Sequence, residues 1–380
     1  MKKCLGLFTL AFALLFAITV KVSAAEVSVA DEATLGTCVA TAENVCKLSA
    51  DVELTHSLEV GEEVTIDLNG FDIVAKDGMT DDSLIIVLHG GTLTIKGEGS
   101  VTATNTNASA RIAVKMTKAG NTEAFINANP ATLVLEGGTL EGSSFGISGN
   151  GNPNRVNTNV TINGGLVKGG TTGIYHPQSG KLTVAGGEVI GKTGIEMRAG
   201  ELTVKGGTIT GTAVPTVTNE NGNGTTTTGA GIAIVQHTTE KELSAVVEGG
   251  NVKGYTALYH NNTENNSEAA ANKVTLEVTG GTFEATNEGT NAIYSDAKEN
   301  FIEGGEFKGA VDEKFVSEDL ETKVIDGVTY IGESIPEEKT PVKEEVKNPN
   351  TGDNVVTYIL IGLMSLIVLG YASNKLRKNA

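Results

Sequence analysis

One phrase of this chain is written twice. KLTVAGGEVIG at 181–191 returns as ELTVKGGTITG at 201–211, a shift of 20 residues. A period of that length is too long for a heptad and falls in the range of stacked-repeat proteins. Each copy alternates apolar and polar residues, breaks at Gly-Gly, and alternates again to a closing Gly. This is the pattern of two short strands around a tight bend, and no helix tolerates so many glycines. The Gly-Gly phrase recurs at Gly90-Gly91, Gly137-Gly138, Gly164-Gly165, Gly249-Gly250, Gly280-Gly281 and Gly304-Gly305. The unequal spacing fits coils that share one wall and differ in their loops.

A coil of about 20 residues must turn several corners, and glycine supplies the positive φ or close approach that corners need. Between corners the pattern turns Leu133, Leu135, Val160, Ile162, Leu182, Val184, Leu202, Val204, Val274 and Leu276 inward as stacked ladders, with Thr, Lys, Glu and Asn outward. The stretch from about 55 to 309 resembles a right-handed parallel β-helix of the pectin-lyase type, carried by the repeated V-x-G-G-T/E-h-x-G phrase, where h is apolar. The phrase Val64-Thr65-Ile66-Asp67-Leu68-Asn69-Gly70, after Leu48-Ser49-Ala50-Asp51-Val52-Glu53-Leu54, resembles the opening of bacterial surface β-helices. Such a resemblance implies a fold and leaves activity open.

Residues 25–54 read as an N-terminal cap, a short helix over Glu32–Val45 followed by a strand, covering the first coil. Residues 310–332, with Phe315, Leu320, Val324, Val328 and Tyr330, read as a C-terminal β cap. Two stretches break the rhythm. Residues 103–131 and 214–229 are rich in Thr and Asn and read as loops thrown outward, although Ile112-Ala113-Val114 has the pattern of a wall strand. Residues 333–347, with Pro336 and Pro341 among Lys and Glu, read as an extended spacer.

The two ends carry address signals. Lys2 and Lys3, the apolar run Leu5–Val20 and the small residues before Ala25 make 1–24 a secretory signal peptide. Export leaves Cys38 and Cys46, eight apart, as a disulfide pair or as two buried thiols. At the other end, Asn348-Pro349-Asn350-Thr351-Gly352 precedes the apolar run 355–372 and a tail with Lys375, Arg377 and Lys378. Eighteen helical residues span about 27 Å, enough for a transmembrane helix, and the basic tail stays inside. This order resembles the sorting signal of Gram-positive cell-wall-anchored proteins, LPxTG-like with Asn348 where Leu is usual. The resemblance implies a sortase as processing partner, cleavage between Thr351 and Gly352, and Thr351 joined to peptidoglycan.

The formal charge is −18, and processing at both ends removes more basic residues than acidic ones. Such a surface excludes nucleic acid as a partner. Asp77, Asp81 and Asp82 form the densest carboxylate group, but their spacing matches no calcium loop. No cofactor or metal is expected. Aligned strands place Tyr175-adjacent residues in one column: Tyr175, His176, Glu196, Arg198, Tyr259, His260 and Tyr294 on a single flank, with the preceding aliphatic residue inward. Stacked aromatic and polar side chains on a flat β surface hold sugar rings or protein partners. The expected function is a structural and adhesive surface protein that presents this flank to glycans or to host or microbial surface proteins. The alternative is an extracellular polysaccharide lyase or glycoside hydrolase built around Glu196, Arg198 and His176.

Overall fold

The computed structural model describes residues 25–117, 122–150, 157–219, 224–236, 241–261 and 272–336. The signal peptide, most of the spacer, the pentapeptide 348–352, the apolar run 355–372 and the basic tail lie outside the described residues. Among the described residues no helix is long and apolar enough to cross a membrane.

Three long sheets, of ten, twelve and nine strands, carry almost all of the regular structure, and the chain visits them in rotation. Ser179–Val184 lies in the ten-stranded sheet, Glu188–Gly191 in the twelve-stranded sheet and Thr193–Met197 in the nine-stranded sheet; Gly200–Val204 then returns to the first. Each of these strands pairs in parallel with its counterpart one coil away, so the chain forms a parallel β-solenoid. The repeated phrase is one coil stacked on the next: Leu182 pairs with Leu202, Val184 with Val204 and Val189 with Ile209.

The interior is a set of aliphatic ladders. Leu93, Leu133, Val160, Leu182 and Leu202 are consecutive in one, and Ile95, Leu135, Ile162, Val184 and Val204 in the next, all fully or almost fully buried. The two glycines of the corner have different tasks. A side chain on Gly186 would meet the carbonyl oxygen of Asn163, one coil below, at 2.4 Å, while Gly187 takes φ +72°. The first glycine lets the coils stack closely, and the second makes the bend that an L side chain resists.

Gly90-Gly91 belongs to another corner. It follows the strand Ser83–Val87 of the nine-stranded sheet, whereas the Gly186-Gly187 corner has its counterpart at Gly97 to Gly99. Two neighbouring glycines alone do not distinguish corners; the strand that follows them does.

The first rungs start earlier than the repeat suggests. Glu26–Val29 pairs in parallel with Val45–Leu48, so residues of the N-terminal cap already contribute to the solenoid walls. Helix α1, Glu32–Val39, begins at a capping box formed by Asp31 and Thr34 and buries Leu35, Cys38 and Val39 against the core. It stops at Val39 and does not reach Val45, which lies in a strand. Cys38 and Cys46 form a disulfide that ties the helix to the next rung, with Cα atoms 5.9 Å apart. At the far end Val328–Ile331 lies antiparallel on Gly305–Lys308 and forms a hairpin with Thr322–Ile325. Phe301, Phe315 and Ile331 close the interior there.

The two irregular stretches are not simply thrown outward. Residues 103–131 contain the wall strand Ile112–Met116 and a short helix α2, Glu123–Ala128. Residues 212–219 and 224–229 fold back as a hairpin, pairing Val217–Thr218 antiparallel with Thr227–Thr228, and residues 226–227 lie over the outer face of the nine-stranded sheet.

Candidate functional site

Strand pairing along the nine-stranded sheet places Glu59, Ile86, Lys115, Ser148, Tyr175, Glu196, Ala233, Tyr259 and Tyr294 in one column. The preceding residues, Ile85, Val114, Ile147, Ile174, Ile195, Ile232, Leu258 and Ile293, form an interior ladder. Alternation across a strand then turns the column outward. Tyr175, Glu196, Tyr259 and Tyr294 are therefore aligned, but their surroundings differ.

His176 and His260 do not belong to this flank. Two residues beyond the inward aliphatic position, they turn back into the interior, 1% and 2% exposed. His176 sets Nδ1 3.2 Å from the carbonyl oxygen of Ala199 and Nε2 3.4 Å from the Thr158 hydroxyl. His260 sets Nδ1 2.9 Å from the Ser295 hydroxyl. Burial disfavours the imidazolium and lowers both pKa values to about 4.

Glu196 and Arg198 point outward but are covered. The Glu196 carboxylate accepts the backbone N–H groups of Thr226 at 2.8 Å and Thr227 at 3.1 Å, and the Thr226 hydroxyl donates to it at 3.1 Å. Thr193 donates its hydroxyl to the carbonyl oxygen of Thr227 at 2.6 Å. Burial raises the pKa of Glu196 against the pull of these bonds and of Arg198. Arg198 donates to the Tyr175 phenol oxygen at 3.4 Å and to the carbonyl oxygen of Gly224. These two side chains hold the hairpin down; with His176 facing the interior, the three do not make an open catalytic cluster. Tyr175 is buried as well, stacked on Phe145 with ring centroids 5.7 Å apart. Burial pushes its phenol pKa up.

The other two tyrosines remain accessible. Tyr259 and Tyr294 stack with centroids 5.2 Å apart and planes inclined by 14°. Tyr294 is 37% exposed and Tyr259 half-buried. The Asn261 amide donates to the Tyr259 phenol oxygen at 3.1 Å and fixes that ring. Two parallel rings one strand apart on a rigid wall form an apolar step with polar edges, the surface on which a sugar ring or a flat apolar side chain stacks.

The carboxylate group near the N-terminal end divides. Asp77 accepts from the amides of Asn105 and Asn107, while Asp81 and Asp82 line a separate cleft with His56, Ser57, Glu59, Ile86, Lys115, Thr117 and Asn150. This cleft was not legible in sequence, because its side chains come from four separated segments with no common spacing. Among the described residues no group of three or more His, Cys, Asp or Glu side chains is placed to hold a metal ion.

The class defined by fold and surface is a parallel β-solenoid with a partly covered outer face and one open aromatic pair. The chain matches no protein-family model, no curated protein and no solved structure.

Proposed function

We propose that this is an exported surface protein, linked to peptidoglycan through Thr351 after a sortase cuts before Gly352. Its β-helix, right-handed and of the pectin-lyase type, is a rigid scaffold that presents binding surface to glycans or to proteins of a host or another microbe. The observation that carries the adhesive reading is the exposed, stacked Tyr259–Tyr294 pair. The address rests on the order of pentapeptide, apolar run and basic tail at 348–380, and on the charged-then-apolar start at 1–24.

The binding test is a glycan and matrix-protein array probed with the full chain in detergent, beside Tyr294→Ala and Tyr259→Ala. Retention that both substitutions weaken at least tenfold supports the reading; equal retention by all three proteins sinks it. The address is tested by mass spectrometry of muramidase-digested walls. A peptide ending at Thr351 and joined to a peptidoglycan fragment is the expected product.

A further inference from the structure

We propose that the cleft at the N-terminal end of the nine-stranded sheet is a second ligand site, for a small polyhydroxylated amine of the amino-sugar class. It is independent of the tyrosine pair and does not rest on the adhesive reading. From Lys115 to Tyr259 the column advances five strands, about 24 Å at ~4.8 Å per strand, and the covered residues Tyr175 and Glu196 lie between them.

The first observation is Thr117. It forms part of the cleft wall, is 1% exposed, and among the described residues its hydroxyl has no hydrogen-bond partner. A buried hydroxyl left unsatisfied costs on the order of 1–3 kcal/mol, and native structures rarely keep one without a reason. Thr117 also takes φ +72°, a rare conformation for a β-branched residue. Strain of this kind persists where the surroundings enforce it, often beside a ligand. A ligand hydroxyl reaching the inner end of the cleft supplies the missing partner.

The second observation is the charge of the cleft. Among the described residues the cleft is lined by Glu59, Asp81 and Asp82 with one lysine, Lys115, which bonds Asp82 at 2.7 Å. One Asp81 oxygen accepts the Ser57 backbone N–H at 2.8 Å and lies 3.6 Å from His56 Nδ1, whose side chain is 79% exposed. That imidazole is a solvent-facing and replaceable partner, so a ligand ammonium has a carboxylate already oriented for it. The excess of carboxylate rejects phosphates and uronic acids. A volume of about 380 Å³ lies at the small end of ligand pockets, suited to one or two sugar rings. The Thr117 hydroxyl is left to meet a ring hydroxyl.

Isothermal titration and saturation-transfer NMR on the full chain in detergent test this, with D-glucosamine, N-acetyl-D-glucosamine, D-glucuronate and putrescine as probes. Glucosamine is expected to bind at least tenfold tighter than each of the other three. Asp81→Asn keeps the bond to Ser57 and removes the charge, and should weaken glucosamine at least tenfold. Glu59→Gln, at an exposed position, should weaken it severalfold, so the test survives if Asp81→Asn fails to fold. Tyr294→Ala should leave glucosamine binding unchanged, which separates this site from the aromatic pair. Absence of glucosamine binding, equal binding of glucuronate or N-acetylglucosamine, or indifference to both acidic substitutions overturns the proposal.

Discussion

Tyr175 and Tyr294 occupy the same register column of one sheet, yet one is buried against Phe145 and Arg198 and the other meets solvent. The ladder inside is the same aliphatic one for both. What differs is the cover: Arg198, which donates to the Tyr175 phenol oxygen, also donates to the hairpin carbonyl of Gly224, and that hairpin is inserted at a corner one coil beyond Glu196. Only Lys192 separates Gly191 from Thr193 in one coil, whereas residues 212–229 are inserted at the same corner of the next. A β-solenoid therefore sets the orientation of a side chain by its wall and the accessibility of that side chain by its loops. Two equal strand patterns thus carry unequal chemistry.

Glu196 is the most direct place to break this contrast. Glu196→Ala removes the acceptor for two backbone N–H groups and leaves Arg198 without its buried countercharge, an expected cost of about 3 kcal/mol. Hydrogen exchange should show residues 213–219 and 224–229 opening, and Tyr175 should become as reactive to tetranitromethane as Tyr294. Protection unchanged from wild type would mean that the hairpin is held by something other than this carboxylate.

The interior histidines sharpen the contrast from the other side of the wall. Unfolded histidine titrates near 6.5, and the folded values of His176 and His260 are about 4. In that interval the unfolded chain binds protons that the folded chain refuses, so stability is full above about 6.5 and declines as pH falls toward 4. Each histidine accounts for up to about 3 kcal/mol of that loss. Glu196, whose folded pKa is raised, acts in the opposite sense and stabilises the folded chain as it takes up a proton. Urea midpoints measured across this range should fall with acid, and His176→Gln or His260→Gln should each flatten the slope.

Smaller effects concern the open pair alone. Tyr294→Ala should reduce glycan retention roughly tenfold, about 1.4 kcal/mol, while moving the thermal midpoint little, because a third of its surface already lies in water. In wild type, nitration should reach Tyr294 well before Tyr175. Equal rates would contradict the assignment of one as covered and the other as free.

The coil, its ladders and the outward turn of the tyrosines were legible because a period of 20 and a period of 2 are both local rules, visible in Leu182, Val184, Leu202 and Val204. His176 and His260, expected on the flank, turn inward instead, as the same alternation requires of a residue two places after an inward aliphatic. The covering of Glu196 was not: nothing in a run of Thr, Asn and Gly at 216–229 announces that its backbone amides will close over that carboxylate. Nor was the cleft, where His56, Asp81 and Lys115 meet only because three coils are stacked. Long-range assembly of this kind depends on register, which one strand read alone does not contain.

The C-terminal hairpin has one more consequence. A stack of parallel rungs offers its last strand as a template on which another chain of the same kind can continue, and growth of that sort leads to fibres. Here the strand laid on Gly305–Lys308 runs the other way. An incoming copy would meet a reversed edge on the twelve-stranded sheet and could not extend all three walls at once, so the molecule has a built-in terminus and a fixed length.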